Sequence, residues 1–148
     1  MKSDFASVWS RVTGTGKAED TLTKLRRWME DEAGQLRAYE MILRGGVSAP
    51  VRSSLNVLLR AKQRHLTELR TLYYLRTGDS WRLPQREKNE RPPLMGSLRE
   101  LYAASSDLAE SYRTSGVNEH DLAALCAELA TDEDLNSIRL RRLVSSLF

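Results

Sequence analysis

Glycine and proline interrupt this chain at few places, and the spacing of those interruptions most limits what it can fold into. Gly45-Gly46, Pro50, Gly78, Pro84, Pro92-Pro93, Gly96 and Gly116 fall at or between the borders of four long stretches, and Gly34 alone lies well inside one. The stretches are too long for ordinary strands and lack strict alternation of polar and apolar residues. Four helices are therefore predicted, over 19–44, 50–76, 95–115 and 119–147, with Pro50 in a first turn and Gly116 at a helix end. Residues 77–94, TGDSWRLPQREKNERPPL, connect the middle pair. A connection of this length reaches up to about 60 Å when extended, against about 40 Å for the second helix. It can run the whole length of a bundle, so the expected class is an all-α four-helix bundle of two helical hairpins joined by a long crossover.

A chain of 148 residues with 41% hydrophobic and 29% charged residues suits one folded domain. Residues 1–18 stand apart, with Phe5, Val8, Trp9 and Val12 at helical spacing, as an N-terminal amphipathic segment expected to pack on the bundle at 19–148 or on a second subunit. No apolar run approaches the roughly 18 to 20 residues that span a bilayer, and MKSDFASVWSRV lacks the core of a signal peptide. A cytoplasmic protein without a membrane role is expected. The single cysteine, Cys126, excludes an internal disulfide and a Cys-x-x-Cys metal or redox pair. A net charge of +3, spread along the chain without interleaved aromatics, gives no reason to expect nucleic acid as a partner.

Each helix carries a stripe of apolar residues three and four apart, broken near its middle. The stripes run Leu22, Leu25, Met29, Glu32, Leu36, Tyr39, Leu43; then Val51, Leu55, Leu58, Lys62, His65, Leu69, Leu72. The third helix gives Leu94, Leu98, Leu101, Ser105, Leu108, Tyr112, and the fourth Leu122, Cys126, Leu129, Glu133, Asn136, Leu140, Leu143, Leu147. Distance along a helix sets height. Glu32 precedes the first turn near Val47 by 15 residues, and Lys62 and His65 follow it by 15 and 18. Ser105 precedes Val117 by 12 residues, and Glu133 and Asn136 follow by 16 and 19. The six polar side chains are thus expected in one buried cluster at mid-height. Two carboxylates in an apolar core need neutralising. A metal ion would do so, and so would a salt-bridge network with Lys62 as the cation.

These residues carry a resemblance to the rubrerythrin branch of the ferritin-like superfamily, over residues 19–147. DEAGQLRAY and KQRHLTEL resemble the family's first half, and LRELYAASSDLAESY and ELATDEDLN its second. Aligning Tyr39 with Tyr112 makes the halves a repeat of about 73 residues. The resemblance implies a di-iron site with one Glu on each of helices one and three and a Glu-x-x-His on each of helices two and four. Carried over, this sequence keeps Glu32, His65 and Glu133 as metal ligands and has Lys62, Ser105 and Asn136 in place of the others. What the resemblance then implies is an eroded di-iron centre, no cofactor, and a non-catalytic structural or interaction role. The alternative is a single Fe, Mn or Zn ion on the three remaining ligands, with oxidoreductase or peroxide-handling chemistry, so whether the chain is an enzyme stays open.

Other residues read more plainly. Glu100 lies off the third stripe and is expected in solvent, His120 at a helix start on the surface, and Cys126 in the core as a small hydrophobe. Tyr39 and Tyr112 are expected to bond the polar cluster through their hydroxyls. Trp28, Ile42, Tyr73, Tyr74 and Trp81 fall outside the stripes and are expected to supply the surface of a homodimer.

Overall fold

A computed structural model describes residues 20–83, 93–115 and 120–147. They form helices α1 (Thr21–Arg44), α2 (Ala49–Thr77), α3 (Leu94–Ser115) and α4 (His120–Ser146), and no strand occurs among the described residues. The ends follow local chemistry. Asp20 caps α1 by accepting the Thr23 amide at 2.8 Å. The α1–α2 turn passes through Gly46 at φ 79°, and Pro50 sits in the first turn of α2 as expected. Gly78 ends α2 at φ 77°, a left-handed conformation that glycine adopts without a Cβ clash, and its amide donates to the Tyr74 carbonyl.

Helix α1 packs on α2 and α3, and α4 packs on α3 and α2, so the diagonals are α1–α4 and α2–α3. Two apolar clusters set the directions. One holds Leu25, Trp28 and Met29 from α1, Leu66, Leu69 and Tyr73 from α2, Leu108 and Tyr112 from α3, and Leu122, Cys126 and Leu129 from α4. The other holds Tyr39, then Val51, Leu55 and Leu58, then Leu98 and Leu101, then Leu140 and Leu143. The start of α1 thus lies with the end of α2, the end of α3 and the start of α4. Since α2 ends in one cluster and α3 begins in the other, the end of α2 and the start of α3 lie at opposite ends of the bundle. The expected all-α bundle of two hairpins is the architecture found, with the two hairpins ordered as a long connection between them requires. Residues 84–92 of the crossover, the segment 1–18, the role of Gly116 and the side chain of His120 lie outside the described residues.

The stripes face inward almost throughout; Leu147, at the end of the fourth, is exposed. One group of residues departs from expectation. Trp28, Tyr73 and Trp81, assigned to an interaction surface, are buried in the first cluster. Trp28 lies three residues after Leu25 and four before Glu32, and α1 touches two neighbours, so its buried face is wider than one stripe. Its indole N–H donates to the Ser111 hydroxyl at 2.9 Å, and its ring lies 5.0 Å from that of Tyr112. Tyr73 packs under the Arg26 guanidinium at 5.7 Å. Trp81 folds back from the connection onto the end of the bundle. Ile42 is half-buried, and only Tyr74 of the five is exposed. No described helix is long and apolar enough to cross a membrane.

Candidate metal centre and buried ion network

Between the two apolar clusters lies a polar layer. Glu32, Lys62, His65, Ser105, Glu133 and Asn136 are each fully buried, and Gln35 nearly so. The helical repeat puts them there: Glu32 and Gln35, Lys62 and His65, and Glu133 and Asn136 are three i, i+3 pairs, each presenting two neighbouring side chains on one inward face.

The Lys62 ammonium lies against both glutamates, 3.1 Å from Glu32 Oε1 and in closer contact with Glu133 Oε2. His65 Nδ1 lies 2.9 Å from Glu133 Oε2 and 3.2 Å from Glu32 Oε2. Its Nε2 lies 3.0 Å from Asp132 Oδ2, which also accepts from Arg64 at 2.6 Å. The Tyr112 hydroxyl donates to Glu32 Oε2 at 2.6 Å. Both ring nitrogens of His65 therefore face carboxylate oxygens, which accept and cannot donate when ionised. Only the doubly protonated imidazolium satisfies both sides.

Electrostatics agree with that assignment. Burial alone would pull the His65 pKa down, but hydrogen bonds and attraction from Glu133 and Glu32 outweigh it and push the value up to about 10. Burial would raise Glu133, but His65 and Lys62 together hold its carboxyl well below the usual range. Asp132 is likewise lowered, its partial burial outweighed by hydrogen bonds from His65 and Arg64. Burial, reinforced by the nearby carboxylates, pushes the Tyr112 hydroxyl up, so it stays a donor. Within the dry layer two anions, Glu32 and Glu133, thus meet two cations, Lys62 and His65. Asp132 and Arg64 form a further pair on the partly exposed flank.

The same residues include a set able to hold a metal ion. Glu32, His65 and Glu133 each offer one ligand atom, and these atoms lie within 4.8 Å of one another. One nitrogen and two carboxylate oxygens suit a transition metal, and the bond from Nε2 to Asp132 is the outer contact that orients a metal-bound histidine. Two features oppose a cation there: a proton on His65 Nδ1, and the Lys62 ammonium against both carboxylates.

The other two expected members lie in the layer but bond elsewhere. Ser105 donates to Gln35 Oε1 at 3.5 Å. Asn136 accepts from Arg139 at 3.2 Å through its amide oxygen. Tyr112 bonds the cluster as expected; Tyr39 does not, and its buried hydroxyl has no hydrogen-bond partner among the described residues. Glu100 is exposed and Cys126 is buried in the core, both as expected. Asp132 and Gln35 went unread in the sequence. Gln35 completes on α1 the i, i+3 polar pair already noted on α2 and α4. The Arg64–Asp132 contact pairs the residues that immediately precede His65 and Glu133, a neighbour relation visible once those two helices are placed side by side.

Fold and site together define a four-helix bundle with a charge-balanced, fully buried ionic layer. Comparison with protein-family models, with curated proteins and with solved structures finds no match to this chain.

Proposed function

We propose that the chain is a ferritin-like bundle of rubrerythrin type whose di-iron centre has eroded to an ion network, and that it works as a metal-independent structural or interaction protein. The observation that carries this reading is the Lys62 ammonium between the carboxylates of Glu32 and Glu133, the place a bridging cation would take. With His65 as the second cation the layer is neutral by itself, and the folded state needs no ion for charge balance. In this reading the protein is cytoplasmic and its partner is a second copy of the chain. The dimer face lies on the outer side of α2, where Tyr74 and Leu75 stay exposed.

Metal analysis of protein purified without chelator tests this. The expected content of Fe, Mn and Zn is far below one per chain. A content near one or two equivalents that disappears in Glu133→Ala contradicts the reading. One observation favours a second reading, a mononuclear Fe, Mn or Zn site: three convergent ligand atoms whose histidine is already oriented by Asp132. Its signature is tight binding of one ion with release of the Nδ1 proton, measured by calorimetry in buffers of different ionisation enthalpy.

A further inference from the structure

A groove of about 340 Å3 runs along the outside of the bundle between α3 and α4. Tyr112 from α3 and Cys126 and Ala130 from α4, all buried, form its floor, and Ala123 and Ala127 stand exposed on its open side. Side-chain size makes the groove. Positions 123, 127 and 130 follow one another at four and three residues, so three methyl groups share one face of α4 where longer side chains would fill the space beside α3. Toward mid-height the groove ends at Arg113 and Asp134, bonded to each other at 2.7 Å. The polar side chains of the lining have partners inside the chain: Tyr112 bonds Glu32, and Thr131 bonds the Ala127 carbonyl of its own helix. A small polar ligand needs convergent groups to orient it, and here those groups are already engaged. The groove suits an apolar wedge instead.

The chain carries such a wedge in the sequence that precedes Asp20, the first described residue. Phe5, Val8, Trp9 and Val12 are spaced i, i+3, i+4, i+7, the anchor pattern by which an amphipathic helix lies in a groove, and Asp4, Ser7 and Arg11 fall on the opposite face. The lengths agree. Helical rise makes Phe5 to Val12 about 10 Å long, against about 16 Å from Ala123 to Asp134 along α4. The reach agrees too. The start of α1 shares an apolar cluster with Tyr112, Leu122 and Cys126, and Trp28 bonds Ser111, the residue before Tyr112. Since α1 packs directly on α3, and packed helix axes stand about 8–10 Å apart, the groove lies within about 20 Å of the start of α1. Residues 13–20, which include Gly14 and Gly16, can span about 26 Å. We infer that residues 5–12 seat as a helix in the α3–α4 groove of their own chain, with Trp9 over Ala127 and Ala130. The inference is independent of whether the polar layer holds an ion.

Nuclear magnetic resonance on the full-length protein tests this. Nuclear Overhauser contacts from the Trp9 ring to the Ala127 and Ala130 methyls are expected, and a sample mixing labelled with unlabelled copies should show that they arise within one molecule. In Ala127→Arg, a long side chain enters the groove from an exposed position of α4, and the contacts should vanish. In Trp9→Ala the bundle is untouched, and the two methyl resonances should move as they lose the ring current of the indole. Absence of the contacts in the wild type, contacts that run only between copies, or contacts that survive in Ala127→Arg overturn the inference. So do methyl resonances that stay in place in Trp9→Ala.

Discussion

Lys62 and His65 are buried cations whose worth to the fold depends on their partners staying in place. Removing one member of a buried, hydrogen-bonded charge set strands the others, so Lys62→Ala is expected to cost about 3–5 kcal/mol in denaturant unfolding. A change below about 1 kcal/mol would be that of an exposed lysine. The pH dependence follows from the directions of the shifts. His65 is raised from 6.5 to about 10 in the fold, so its stabilisation is complete below pH 6.5 and disappears as pH rises through about 10. Glu133 is lowered from 4.5, so its stabilisation is complete above pH 4.5 and is lost as pH falls through its depressed value. Unfolding free energy should therefore be highest between about pH 4.5 and 6.5 and fall on both sides. In His65→Gln the alkaline fall should shrink, which melting curves across pH would register.

At the scale of elements, the helix ends and the layer have different sensitivities. Asp20→Ala removes a cap from α1 and should lower the melting temperature slightly. Gly78→Ala forces a Cβ into a left-handed position and should cost about 1–2 kcal/mol. Both are surface changes, and neither should disturb the His65 network. The elements and the height of the layer were legible because helical rise is a ruler: counting residues from each turn brought Glu32, Lys62, His65 and Glu133 to one level without any knowledge of contacts. The width of each buried face was not legible. How many neighbours a helix touches is a tertiary property, which is why Trp28 and Tyr73 read as surface and are core. Trp81 sits in an aperiodic connection, where no pattern marks a side chain that folds back. Likewise, the sequence placed Ser105 and Asn136 in the layer but could not show that they turn toward Gln35 and Arg139 rather than toward Lys62.

Taken as a whole, the described residues form two antiparallel hairpins packed on each other and pinned at mid-height by an ionic layer between two apolar clusters. If that layer descends from a di-iron centre, restoring the lost ligands should restore the metal. Lys62→Glu combined with Ser105→Glu and Asn136→His is expected to bind about two ferrous ions per chain, read by metal analysis and by the optical spectrum after exposure to oxygen. Failure to bind in a variant that folds would mean that the six positions do not share a site. The most direct test of the whole picture concerns the charge at its centre, which nitrogen-15 spectroscopy of the lysine side chains can read. The Lys62 signal is expected to be that of a slowly exchanging ammonium, coupled to the Glu32 and Glu133 carboxylates and unmoved by stoichiometric zinc or manganese. A neutral amine, or an ammonium that zinc or manganese displaces from the carboxylates, would contradict it.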